Sequence, residues 1–215
     1  MVRLNIIVEG GVPSTNQSAE TADNVESLRQ SLHHFFRRIL ECDDMDIKVF
    51  MGWGYRSAAR CFINEPGACL YVDSDGPRSA TDEWFDKLQD KNTPEKNIII
   101  PDEQKEMVFF MVQEMEAWFL KQPDCLVRWA KCEGYERLHT DEEIAAHSLL
   151  HNKNIEEIAK PSEKLKILMR HFFKKNKKAA RYGKLKTAPI LLDALEVSAL
   201  LPLDDDLQRF KSRFA

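Results

Sequence analysis

Apolar residues along this chain fall into two rhythms. Short, nearly unbroken runs occur at 4–8 (LNIIV), 47–51 (IKVFM), 68–72 (ACLYV), 98–100 (III) and 107–112 (MVFFMV). Runs of this length, several of them bounded by glycine or aspartate, predict strands buried on both faces. Between them the spacing lengthens to a helical period. Val25, Leu28, Leu32, Phe35, Phe36, Ile39 and Leu40 form one stripe of a helix over about 20–41, reached through a polar loop at 11–19. A short helix with Arg56 and Arg60 follows Gly52-Trp53-Gly54. Another opens at Thr81-Asp82-Glu83-Trp84, with the threonine as N-cap, and the 107–112 run passes into a helix at 114–120 (EMEAWFL). Strands alternating with helices predict an α/β architecture with a largely parallel sheet flanked by helices.

After Pro123 the strand rhythm stops. Thr140–Glu143 (TDEE) fits a capping box, Leu165, Leu168, Met169, Phe172 and Phe173 form a second helical stripe, and 187–195 and 204–214 add two short helices. The expected organisation is an α/β core over 1–122 and a helical C-terminal part over 123–215 packed on that core. No internal repeat or low-complexity tract interrupts it.

Composition narrows the class. At 215 residues and 43% hydrophobic content the chain is long enough to bury a substantial core. No stretch approaches the roughly 18 apolar residues of a membrane helix, and Arg3 and Asn5 break the first run, so neither a membrane span nor a signal peptide is expected. The five cysteines are odd in number and contain no C-x-x-C pair, which argues against a disulfide framework or zinc ribbon and for a reduced, cytoplasmic protein. Neither a G-x-x-x-x-G-K-[ST] loop nor a G-x-S-x-G elbow is present, so any ATPase activity must come from a partner. His33 and His34 read as packing or surface residues. His147 and His151 stand four apart but lack the H-E-x-x-H acid, and read as surface histidines.

The formal net charge of −4 hides a strong asymmetry. Residues 160–186 carry eleven Lys or Arg against the single acid Glu163, leaving a net −14 on the rest. Such polarity is what phosphate backbones select, although a solvated lysine face, with 174–178 as a helix end, or an acidic partner protein would explain the same charges. Lys160, Arg181, Lys184 and Lys186 lie beside Pro161, Tyr182, Gly183 and Pro189, in expected loops from which side chains can reach a phosphate. Arg56, after a strand-end turn, is placed either for phosphate contact or for a surface ion pair.

In a parallel sheet the carboxyl ends of the strands share the edge where ligands bind. Glu9 ends the first run, and Asp73 and Asp75 end the third. Three carboxylates brought to one edge repel each other unless a cation sits among them, and oxygen-only ligands suit Mg²⁺ or Mn²⁺. Taken alone, the DSDGP stretch at 73–77 is equally a set of turn formers.

Val8-Glu9-Gly10 after the first strand and Asp73-Ser74-Asp75 after a later one resemble the TOPRIM fold of topoisomerases, DnaG-type primases and OLD-family nucleases. With the segments 4–11, 52–62, 71–75, 111–120, 155–160 and 181–184, the chain looks like a bacterial family of small TOPRIM-like proteins. That family is often encoded beside AAA- or ABC-type ATPases, in settings suggestive of phage defence. The EMEAWFL block is the most specific part of the likeness. The resemblance implies Glu9, Asp73 and Asp75 as metal ligands, with Glu116, and Glu114 beside it, as a further acidic member. It implies a Mg²⁺-dependent (or Mn²⁺-dependent) nuclease that cleaves nucleic-acid phosphodiesters, coupled to an ATPase partner. The competing expectation is a non-catalytic TOPRIM scaffold that binds or regulates an ATPase or nucleic-acid complex.

Overall fold

The structure is a computed structural model and describes residues 2–11, 18–42, 44–89 and 93–215. Most of the loop expected over 11–19 lies outside these. Four strands, β1 (Val2–Val8), β2 (Met45–Met51), β3 (Cys69–Asp73) and β4 (Val108–Met111), form a parallel sheet in the order β2-β1-β3-β4. The inner strands alternate between two apolar layers. Leu4, Ile6, Val8, Cys69, Tyr71, Phe109 and Met111 face one core, while Ile7, Leu70, Val72, Val108 and Phe110 face the other. Burial on both faces explains why these strands read as solid apolar runs rather than alternating ones.

Helix α1 (Ala19–Leu40) covers the first face, where Phe36 meets Tyr71 at 5.0 Å between ring centroids and Tyr71 stacks on Phe109. Ser18 caps its N-terminus by accepting the Thr21 N–H. Helix α2 (Tyr55–Ile63) and a 3₁₀ helix at Arg78–Leu88, with Trp84 fully buried, cover the second face. Gly52 makes the turn into α2 by pressing its backbone onto Ala58. A Cβ there would lie 2.4 Å from the Ala58 Cβ and 2.7 Å from its Cα. Neither atom belongs to a flexible side-chain end, so Gly52→Ala is expected to destabilise the fold by about 2–3 kcal/mol, read as a lower urea midpoint.

Helices α3 (Asp102–Lys105), α4 (Glu116–Lys121) and α5 (Asp124–Glu133) follow in the chain. Beyond them come α6 (Pro161–Phe172), α7 (Lys184–Ala194), α8 (Val197–Leu200) and α9 (Asp205–Phe214). The first core runs without interruption from the sheet into these later helices: Trp118, Leu165, Phe172, Leu191 and Phe210 all belong to it. Arg38 of α1 donates to the carbonyls of Leu192 (2.6 Å) and Leu195 (2.8 Å), closing the C-terminal end of α7. Among the described residues no helix is long and apolar enough to cross a membrane.

Five local expectations are corrected. Thr81 is not an N-cap: the helical turn starts earlier, after Pro77, and the threonine hydroxyl bonds back to the Arg78 carbonyl. Residues 98–100 join no strand, because β4 occupies the edge of β3. Their burial nonetheless alternates, with Ile98 and Ile100 inside and Ile99 73% exposed. The TDEE stretch opens no α-helix. Glu143 is extended, and Arg137 donates to the Glu142 carbonyl, holding the segment as a turn.

Finally, strands do occur after Pro123. β5 (Glu136–Arg137), β6 (Phe173–Lys175) and β7 (Lys178–Ala179) form a small antiparallel sheet. The lysines at 174–178 form a hairpin rather than a helix end. Asn176 (φ 50°) and Lys177 (φ 63°) supply the two left-handed residues of its two-residue turn.

Candidate functional site

The carboxyl ends of β1, β3 and β4 converge through ladder-like bonds that continue past the strands. Glu9 N–H donates to the Tyr71 carbonyl (2.8 Å), Ser74 N–H to Met111, and Asp75 N–H to Gln113. Gln113 returns the favour through its own N–H to the Gly76 carbonyl and the Ser74 hydroxyl. Asp75 (φ 52°) and Gln113 (φ 67°) both adopt left-handed backbone, which this cross-bonding holds in place. The two loops are therefore tied to each other through their backbones.

Asp73 is buried and anchored on both oxygens. Its Oδ1 accepts the Met115 N–H at 2.9 Å, and its Oδ2 pairs with the Lys184 ammonium at 3.1 Å. Glu116, at the start of α4, is 1% exposed. Its Oε1 accepts the Tyr182 hydroxyl at 2.6 Å, while its Oε2 is buried with no hydrogen-bond partner. Glu9 Oε2 is likewise buried and unpartnered. Burial and the neighbouring Asp73 and Asp75 carboxylates push Glu9 up to about 7, and burial, with Glu116 adding to it, pushes Asp73 up to about 6 despite Lys184. Burial opposes charge on Lys184, yet Asp73, Glu116 and Glu9 together hold it above the ordinary lysine range. Burial and Glu116 raise Tyr182 strongly, keeping it a neutral donor.

The sequence-derived acids thus share one edge, but in unequal roles. Asp75 is exposed and lies 3.6 Å from Lys87. Glu114 turns away, accepting the Ser162 N–H at the start of α6, so Glu116 is the inward member of the pair. Among the described residues these carboxylates do not close as tightly as a separate His–Glu group at 139–171, and Lys184 stands among them. The donor chemistry still fits a hard divalent cation: two unpartnered buried carboxylate oxygens and two acids shifted upward are what a cation would satisfy.

The basic residues divide more sharply. Lys166, Arg170, Lys178 and Arg181 line a cleft of about 480 Å³ that reaches Tyr182, the residue bonded to Glu116. Lys184 and Lys186 lie in the first turn of α7 rather than in a loop, and Lys184 sits inside the acidic edge itself. Lys160 is exposed at the N-terminal end of α6 in a left-handed conformation. Lys186 turns to Glu20 on α1 at 2.6 Å. Arg56 is directed elsewhere: its guanidinium donates to the carbonyls of Lys87, Leu88 and Lys96, stapling the 3₁₀ helix to the following loop.

Sequence reasoning missed the Tyr182 hydroxyl that bonds Glu116, since a lone tyrosine beside a glycine carries no periodic signal. It named neither Lys166 nor Arg170 as cleft residues. Their i, i+4 spacing on α6 was the available clue. No family model, curated protein or solved structure matches this chain.

Proposed function

We propose that the chain is a TOPRIM-like, Mg²⁺-dependent nuclease whose acidic sheet edge cuts nucleic-acid phosphodiesters presented by the adjoining basic cleft. The observation that carries this reading is the pair of buried, unpartnered oxygens, Glu9 Oε2 and Glu116 Oε2, beside an Asp73 raised to about 6. Glu9, Asp73 and Glu116 would hold the ion, with Asp75 at the open side. Bound there, it would polarise a phosphate oxygen and lower the pKa of a bound water. Tyr182 fixes the Glu116 carboxylate through its short bond, and the Met115 N–H fixes that of Asp73. Lys184 contributes a permanent positive charge where phosphate oxygens would approach, and Lys166, Arg170, Lys178 and Arg181 would track the backbone on either side. An ATP-driven step would come from a partner ATPase, as the chain carries no phosphate-binding glycine loop of its own.

One observation favours the second reading, a non-catalytic scaffold: the Lys184–Asp73 pair already neutralises part of the acidic edge. Calorimetric titration with Mg²⁺ and Mn²⁺ separates the two. For a catalytic edge, wild type binds and Glu9→Gln does not. The pH dependence has a definite sign. Glu9 and Asp73 have folded-state values above their ordinary ones, so the folded protein takes up protons below about pH 6–7. Without metal their protonation stabilises the fold at low pH, and that contribution is lost as pH rises through 6–7. Metal must displace those protons, so Mg²⁺ affinity is expected to be at least about tenfold weaker at pH 5.5 than at pH 8. Absence of binding at pH 8, with or without an oligonucleotide, would leave the scaffold reading standing.

A further inference from the structure

We infer that His139, Glu142 and His171 form a binding site for a divalent first-row transition cation, of which Zn²⁺ fits best, separate from the acidic sheet edge. Their ligand atoms all lie within 4.8 Å of one another, and no other group of three metal-binding side chains among the described residues closes so tightly. His171 Nε2 stands 3.2 Å from Glu142 Oε2. Neighbouring ligands around a tetrahedral ion with bonds of ~2.0–2.1 Å are about 3.3 Å apart, so this pair already has the required spacing.

The fold sets this arrangement. The β5–β6 ladder pairs Arg137 with Phe173, and the Leu138 N–H donates to the Phe172 carbonyl at 2.7 Å. The residue after Leu138 is therefore brought alongside the residue before Phe172. The Glu142 N–H donates to the His139 carbonyl, closing a turn that returns the carboxylate to the same place. Two imidazoles and one carboxylate are the donor set of borderline cations, unlike the oxygen-only set at the sheet edge.

The His139 and His171 rings are stacked, 4.3 Å apart and inclined by 6°. An ion bound to a ring nitrogen lies in the plane of that ring, so two parallel planes cannot share one. His139 is exposed and can turn out of the stack, whereas His171 is flanked by Phe172 and His147. His147 is not a fourth ligand: its Nδ1 accepts the Leu149 N–H, which leaves the proton of the neutral ring on Nε2. Water would complete the coordination. Arg137 points its guanidinium at the Glu142 carbonyl and over the Phe172 ring, leaving the carboxylate to the histidines. Binding would tie the 139–147 segment to the end of α6, beside the strand that leads into the basic cleft.

The test uses the full chain, stripped with chelator and titrated with Co²⁺ at pH 7.5, followed by visible absorption and displacement with Zn²⁺. One Co²⁺ with a tetrahedral-type band, displaced by one Zn²⁺, is expected. His139→Ala, an exposed substitution that leaves the fold intact, should weaken this binding by more than about 100-fold, and Glu142→Gln should also weaken it. Glu9→Gln should leave the band unchanged, which separates this site from the acidic edge and makes its failure distinguishable from failure of the nuclease reading. A band that survives His139→Ala, one that disappears with Glu9→Gln, or no Co²⁺ binding by wild type would each overturn the proposal.

Discussion

Asp73→Asn is expected to reduce metal-dependent cleavage of nucleic acid by on the order of 10³-fold while the protein stays folded. The size follows from the several kcal/mol of charge stabilisation that a metal centre contributes, at about 1.4 kcal/mol per factor of ten. Folding should survive for three reasons. The amide has the shape of the acid, its oxygen can still accept the Met115 N–H at 2.9 Å, and the change removes one of the like charges that raise Glu9. The cost falls on Lys184, whose ammonium would face an amide instead of a carboxylate. Steady-state cleavage in Mg²⁺, alongside a thermal melt, reads both effects. A melt within a few degrees of wild type combined with undiminished cleavage would remove the acidic edge from the chemistry. Charge reversal at Arg170 and Arg181 would then show whether the basic cleft alone carries the function. On the scaffold reading those reversals abolish partner or nucleic-acid binding, and Asp73→Asn changes nothing.

Much of the fold was legible because each inner strand is buried twice over. Tyr71 and Val72 face opposite cores, as do Phe109 and Phe110, so no polar position interrupts the runs and their lengths mark the strands. The α1 stripe was legible for the complementary reason that only one of its faces meets the core. Ile98–Ile100 show where burial and pairing part company. The segment has the in-out alternation of a strand, yet among the described residues its backbone finds only the Ile98 N–H to Leu88 bond, because the neighbouring edge is already taken. Pairing is a property of the partner, and a single segment does not encode it. The hairpin at 173–179 was hidden by its lysines, whose charge matched a solvated helix end. The clue was Asn176 between two short polar arms, which suits a left-handed turn without the usual glycine.

The candidate site was legible only where strand ends delivered it. Glu9 and Asp73 follow apolar runs directly, so topology alone predicts their convergence. Tyr182 and Lys184 reach the same place from more than 60 residues beyond Glu116, through a loop with no periodicity, and only tertiary structure reveals Tyr182 as the group that orients Glu116. Arg56 shows the opposite failure: a cation near the right edge, consumed by three carbonyls that its sequence neighbours do not disclose. His139, Glu142 and His171 come together through a two-residue strand too short to register in any pattern.

Lys121→Met is expected to destabilise the protein by about 3–5 kcal/mol at pH 7.5, the cost of leaving a buried charge without its partner. Lys121 closes α4, and its ammonium bonds both Glu156 and Asp204 at 2.8 Å. Arg78 also holds Glu156 and pairs with Asp206, so Glu156 keeps a cation when Lys121 is lost. Asp204 does not. Its side chain is 1% exposed, and it would retain only neutral donors, the Trp118 indole N–H and the Leu207 N–H that it caps at the start of α9. Burial already raises Asp204 above the ordinary aspartate range, with Lys121 opposing that rise. Removing the lysine raises it further, so the folded variant takes up a proton as pH falls. The loss of stability should therefore be largest at pH 7–8 and shrink toward pH 4–5. Adding Asp204→Asn to Lys121→Met should recover about half of the loss, because the amide oxygen still caps α9 and no buried charge remains. Urea unfolding of the two single variants and the double variant at pH 5 and 7.5 measures all of this. A loss below about 1 kcal/mol, or no recovery in the double variant, would mean that packing around Trp118 rather than this ion pair holds α4. Because the other end of α4 carries Glu116, the folded Lys121→Met protein should also bind Mg²⁺ more weakly, tying the stability of this buried network to the acidic edge it supports.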